Sequence, residues 1–210
     1  MPGSRPVLLV MDFQHGIVES IADPSVLDAA SRAVKAARVS GIPVMFVRVA
    51  FRPGYPEAAA SNAAFAAMAE RGDAMTQDHP ATQVHEALEP RPDEPVIVKR
   101  RVSAFSGSDL DVLLRAAGAG TLVLAGISTS GVVLSTLRQA ADLDYRLIVL
   151  SDACAASDAF ASANASISTC RTMLLNRRRS SSARVNISSL AWSDASSTPS
   201  ARSMHATLAP

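Results

Sequence analysis

The chain has 210 residues, 20 basic against 19 acidic side chains for a formal net charge of +1, and 48% hydrophobic but only 4% aromatic residues. That length suits one α/β domain, or a domain of about 150 residues with an extension. The balanced charge sets up no global field, which excludes nucleic acid and an anionic membrane as expected partners. Two cysteines cannot make a disulfide framework, and a reducing, cytoplasmic setting is the simplest reading.

In chain order, Pro6 to Met11 is a short apolar run that ends at Asp12; it is too short for a signal-peptide core or a membrane span. Asp23-Pro24 reads as an N-cap followed by proline at the first helical position. Leu27, Ala30, Val34 and Ala37 recur at helical spacing, and Gly41 closes the helix. Pro43 to Val49 is a second strand. Ala50 to Pro80, rich in Ala, Gly and Pro, predicts a partly helical excursion over the site, because connections of that length are usually functional. Pro95 to Lys99, Thr121 to Ala125 and Tyr145 to Leu150 are the remaining strands. Helices are predicted over Asp109 to Ala117, with Ser106 or Ser108 near its cap, and over Ser130 to Asp142. Short, continuously apolar strands separated by helices predict a three-layer α/β fold, a mostly parallel sheet with helices on both faces.

The composition divides the chain at 156. Residues 1–156 carry the α/β pattern. In 157–210 about a quarter of the residues are Ser, and Arg177-Arg178-Arg179 runs into Ser180-Ser181-Ser182 with no helical or strand period. Such composition is expected of disorder, and a shifted reading frame in a GC-rich gene is the other reading. The segment is not expected to be a domain.

In an open parallel sheet, ligands sit beyond the carboxyl ends of the strands. Three candidates stand there: Asp12, Lys99 and the turn from Gly126 to Val132. A carboxylate and an amine at neighbouring strand ends would pair, which keeps Asp12 ionised, and the pair could pass a proton to a substrate; a structural ion pair is the plainer alternative. The turn leads into a helix whose first N–H groups suit an oxyanion, or Thr129 or Ser130 simply caps that helix. Arg48 and Arg52 follow the second strand and could bind a substrate carboxylate, or remain solvated loop charges. His15 could line the pocket, although a surface position is the plainer reading. Cys154 reads as a small buried hydrophobe. His15, His79 and His85 show no paired ligand spacing, so no metal and no cofactor is expected.

Four ordered motifs resemble the isochorismatase-like cysteine hydrolase superfamily, which includes nicotinamidases, carbamoylsarcosine amidases and isochorismatases. They are Leu8-Leu9-Val10-Met11-Asp12-Phe13-Gln14, Val98-Lys99-Arg100-Arg101-Val102-Ser103-Ala104-Phe105, Leu124-Ala125-Gly126-Ile127-Ser128-Thr129 through Ser135-Thr136 and Ala140-Ala141, and Val149-Leu150-Ser151-Asp152-Ala153-Cys154-Ala155. The resemblance implies a hydrolase of small molecules that cleaves an amide-like or vinyl-ether bond. Asp12 would be its proton-transfer residue and Lys99 the electrostatic partner. Ile127, Ser128 and Gly131 would contribute oxyanion or substrate contacts, as would Phe13, Phe105 and Arg48. The family's non-proline cis peptide would fall at Ile127-Ser128. The metal-binding relatives carry an Asp-x-His pair after the second strand, whereas Val47 to Glu57 holds neither residue.

Val132 stands where the family places its nucleophilic cysteine, so no acyl-enzyme is expected: valine offers neither acid nor nucleophile. True isochorismatases also lack that cysteine, carry Gly there, and protonate a vinyl ether for attack by water. An Asp12 and Lys99 pair could serve that route. The rival expectation is an inactive, non-catalytic binding protein that keeps the pocket. The family's final helix and strand are not recognisable after Asp152-Ala153, and an uncovered sheet edge invites association; a homo-oligomer is expected.

Overall fold

The computed structural model describes residues 5–21 and 23–155. Five strands, β1 (Arg5–Met11), β2 (Val44–Val49), β3 (Val96–Lys99), β4 (Ala119–Ile127) and β5 (Arg146–Ala155), form one sheet in the order β3-β2-β1-β4-β5. Every pairing is parallel. The helices are α1 (His15–Val18), α2 (Ser25–Val39), α3 (Ala63–Ala69), α4 (Leu110–Ala116) and α5 (Leu134–Asp142). The segment 157–210, with Cys170 and the arginine triplet, lies outside the described residues.

The central strand shows why its sequence is unbroken by polar residues. Leu8 and Val10 pack against Ala30, Val34 and Ala37 of α2 on one face. Val7, Leu9 and Met11 pack against Leu110 and Leu114 of α4 and Ala140 of α5 on the other. A strand covered on both faces has no side on which a polar residue is free to sit. The alanines of α2 let that helix lie close to the sheet. At its start, Asp23 Oδ1 accepts the Ser25 N–H at 2.9 Å. At its end, Gly41 turns at φ 66°, the left-handed conformation that glycine adopts without steric cost.

Two elements differ from the sequence expectation. Strand β5 runs on past Leu150 to Ala155, through the exposed Ser151 and Asp152. A register shift against β4 between Leu124 and Gly126 pairs Gly126 with Cys154 and Ile127 with Ala155; the bulge turns polar residues outward, so the apolar run stops before the strand does. The excursion after β2 is ordered by its own small core of Phe51, Tyr55 and Phe65. Besides α3 it holds three single 3-10 turns, at Gly72–Met75, Pro80–Thr82 and Glu86–Leu88.

One buried ion pair fastens α2 to the segment before β3. Arg38 donates to Glu94 in a two-pronged contact, Nε to Oε1 at 2.8 Å and Nη2 to Oε2 at 2.7 Å, and both side chains are 9% exposed. The hydrogen bonds from Arg38 and from the Arg91 amide outweigh burial and lower the Glu94 pKa below its usual 4.5. Glu94→Ala leaves the Arg38 guanidinium with backbone acceptors only, Glu89 O at 2.7 Å and Leu88 O at 3.4 Å, and is expected to cost about 1–3 kcal/mol in urea unfolding at neutral pH. Because the folded-state pKa is lowered, this contribution is complete above the unfolded value and fades as pH falls through the folded one. Stability curves of wild type and variant therefore converge in acid, and curves that stay parallel would contradict the assignment.

Candidate active site

The strand order reverses between β1 and β4, the switch point at which open parallel sheets bind ligands. The chain leaves β1 at Asp12, whose φ of 59° is left-handed, a conformation that asparagine and aspartate tolerate better than other L residues. The Asp12 N–H is held by Val47 O at 2.8 Å. Lys99 ends β3, two strands away, and its long side chain spans the end of β2. The Lys99 ammonium lies 3.0 Å from Asp12 Oδ2, with side chains 3% and 7% exposed, and it also donates to Arg101 O at 3.1 Å. The second carboxylate oxygen, Asp12 Oδ1, is buried and has no hydrogen-bond partner.

Pairing with Lys99 was expected to hold Asp12 ionised. Burial works against that pairing. Burial raises the Asp12 pKa by more than the Lys99 charge and hydrogen bond lower it, so the carboxyl sits above its usual value. Desolvation wins because the carboxyl is largely buried and only one of its two oxygens has a partner.

The sheet-to-helix turn contains the non-proline cis peptide Ile127-Ser128. A π-helical turn, Thr129–Val133, follows and leads into α5. Its cap is Ser128, not Thr129 or Ser130: Ser128 Oγ accepts the Gly131 N–H at 3.1 Å, so this amide is already used in closing the turn. Val132 is 2% exposed and joins the core on the α4 and α5 side of the sheet. Gly126 is required by close packing: a Cβ there would lie 2.9 Å from Val133 Cγ2 and 3.1 Å from Met11 O. Gly126→Ala is expected to cost about 1–3 kcal/mol in denaturant unfolding. Adding Val133→Ala should recover part of that loss and no more, because the Met11 backbone cannot give way; full recovery would argue against the contact with Met11.

The other named residues fall in different places. Phe13 packs in the core beneath α2. Phe105 packs against Tyr145, ring centroids 6.3 Å apart, in the opposite core. Ile127 is 1% exposed. Arg48 holds the excursion down, with Nη1 donating to Gln77 O at 3.0 Å and to Thr82 O and Oγ1 at 3.2 Å. Its Nε is buried without a partner, and burial with the nearby Arg100 lowers its pKa. Arg52 is exposed and pairs with Glu57 at 2.6 Å. Arg100 also meets Glu57, at 3.2 Å, and Arg101 stacks over Phe65 at 5.0 Å. The residues after Lys99 thus tie the excursion to the end of β3.

Gln14 carries a role that the sequence reading left unassigned. Its amide nitrogen donates to Val49 O and Thr82 O, both at 2.9 Å, and its oxygen accepts the Val49 N–H at 2.8 Å. Buried at 1% exposure, it joins the exits of β1 and β2 to the excursion. A lone glutamine after an aspartate carries no such signal, because its partners are 35 and 68 positions away.

The isochorismatase domain family matches residues 6–176. An uncharacterised isochorismatase family protein of Escherichia coli is 38% identical over 156 residues, covering 72% of this chain and 80% of that protein. A ureidoacrylate amidohydrolase of Methylobacterium radiotolerans is 38% identical over 137 residues, covering 59% of this chain and 52% of that protein, so the chain spans about half the length of that relative. Among solved structures, N-carbamoylsarcosine amidase from Thermoplasma acidophilum superposes with a TM-score of 0.61 at 28% identity, covering 75% of this chain and 91% of that one. A cysteine hydrolase from Pseudomonas syringae pv. phaseolicola gives 0.67 at 25% identity, covering 72% and 73%. Among the described residues no helix is long and apolar enough to cross a membrane. With the parallel sheet in place and the family's domain matched over most of this chain, the chain belongs to the isochorismatase family of hydrolases.

Proposed function

We propose that the chain hydrolyses a small molecule with Asp12 as the acid and water as the nucleophile, without a covalent intermediate. The carboxyl of Asp12 carries this reading: Oδ2 is held by Lys99, while Oδ1 is buried and unpartnered. A carboxyl whose pKa is raised by burial keeps its proton to higher pH and is placed to deliver it. On a vinyl ether the proton moves from Asp12 to the terminal carbon, and the double-bond electrons form the new C–H bond. Water then adds to the resulting oxocarbenium carbon and returns a proton to Asp12. The hemiketal breaks its C–O bond, releasing an alcohol and a ketone. Lys99 stabilises the carboxylate left after the first transfer. On an amide-like bond the ionised carboxylate would instead draw a proton from the attacking water. Val132, at the family's cysteine position, excludes the acyl-enzyme route in either case.

The test is turnover of isochorismate, ureidoacrylate and N-carbamoylsarcosine by the full chain, with intact mass recorded during turnover. Hydrolysis with unchanged protein mass supports the reading. A covalent adduct, or loss of turnover on thiol alkylation or in Cys154→Ser, overturns it. The burial of Val132 favours a second reading, a pocket that binds without turnover; saturable binding of one of these compounds with no product would establish it.

A further inference from the structure

Histidine spacing along the chain predicts no metal ligands, but the fold brings two histidines together across 70 positions. The turn after Asp12 meets the segment leading to β3 in an isolated antiparallel bridge, Gln14 opposite Val84. Two backbone hydrogen bonds close it: His15 N–H to Gln83 O at 3.2 Å and His85 N–H to Phe13 O at 2.8 Å. In that register His15 and His85 are diagonal neighbours on one face, where long side chains touch across paired strands. Their rings stack with centroids 4.8 Å apart. Glu86 Oε2 lies 3.1 Å from His15 Nε2 and 3.8 Å from His85 Nδ1. One ligand atom from each residue lies within 4.8 Å of the other two.

We propose that His15, His85 and Glu86 form a site for a divalent transition-metal ion of the zinc type, distinct from the Asp12 and Lys99 pair. Two imidazoles and one carboxylate are a borderline donor set, which suits zinc and its neighbours and not the oxygen-seeking magnesium or calcium. Metal–ligand bonds of about 2.0–2.1 Å place tetrahedral ligand atoms roughly 3.4 Å apart. The His15 and Glu86 atoms are already near that separation, and the longest one must shorten by roughly 1.4 Å by the same geometry. Glu86 Oε2 is already close to both nitrogens, so the separation that must shorten is the one between the imidazoles: the bridge fixes the two backbones, and the rings close by rotation about their side-chain bonds while the Glu86 side chain, 76% exposed, follows. At His15 the metal would bind through Nε2, which now faces Glu86 Oε2 at 3.1 Å. At His85 Nδ1 the metal takes the lone pair that now accepts the Ala87 N–H at 3.2 Å. Three protein ligands leave a fourth position for water, and the bound ion would fasten the turn that begins three residues after Asp12.

The test uses the full chain, stripped with a chelator and dialysed against zinc chloride, with bound zinc counted by mass spectrometry. One zinc per chain is expected, and cobalt(II) substitution should give the intense visible absorption of a tetrahedral nitrogen and oxygen site. His15→Ala and His85→Ala should each weaken binding at least about tenfold, with Glu86→Gln intermediate and His79→Ala unchanged. In the wild-type chain, zinc should protect His15 and His85, and not His79, from diethyl pyrocarbonate. That readout needs no variant and stands if an alanine substitution unfolds the protein. Absence of stoichiometric zinc, absence of that protection, or full binding in a folded His15→Ala/His85→Ala chain overturns the proposal.

Discussion

Asp12→Asn lowers kcat/KM on any substrate the chain turns over by about 10²–10⁴-fold, the range associated with a lost general acid. The substitution keeps the shape of the side chain and its capacity to accept from Lys99, but removes the transferable proton. It also strands a buried ammonium, because Lys99 is 2% exposed and Asp12 is its ion-pair partner at 3.0 Å. A stability loss of about 3–5 kcal/mol is expected for breaking such a pair. Asp12→Asn/Lys99→Met separates the two effects: it should recover much of the stability and none of the activity. The pH dependence follows from the raised Asp12 pKa. The protonated carboxyl is the active acid, so kcat/KM falls as pH rises through that value, and the fall is absent from the residual activity of Asp12→Asn. Wild-type rates that climb over the same interval would identify Asp12 as a base and move the substrate class toward amides.

Val132→Cys, made with Cys154→Ser and Cys170→Ser so that one thiol remains, should acquire a thiolate well below the ordinary cysteine pKa of about 8.5, inside the range of about 3.5–7.5 seen at activated sites. Position 132 lies in the turn that opens α5, where the helix dipole favours an anion. The apolar neighbours of Val132 in the core pull the other way and favour the neutral thiol. The thiolate absorbance, followed against pH, decides between them without requiring a reagent to enter the core. A pKa at or above that of free cysteine would show that the turn no longer activates a nucleophile, and would favour the pocket that binds without turnover.

How much was legible varies by element and for physical reasons. The runs at Val7 to Met11 and Val44 to Val47 declare buried parallel strands because burial on two faces demands unbroken apolar sequence. Asp12 and Lys99 are readable as chemistry because each ends such a run with a charge. The end of β5 was not readable, since Ser151 and Asp152 face outward at a bulge. Arg48 resembles a ligand for a carboxylate in sequence, yet its guanidinium is occupied by Gln77 and Thr82. The cap at Ser128 rather than Thr129 follows from how the chain turns out of β4, which local residue preference does not report.

What the sequence by itself determined is the local layer: strands, the main helices, their order, and the charged residues at their ends. These depend on periodicity and on contacts a few residues apart. Only the tertiary structure decided the rest. It placed Lys99 over Asp12 with one oxygen unpartnered, so that burial outweighs pairing. It locked Gln14 onto Val49 and Thr82, and stacked His15 on His85 beside Glu86. Each of these is set by the strand order and by packing between distant segments, and the energy of a buried charge depends on every group around it rather than on its neighbours in the chain.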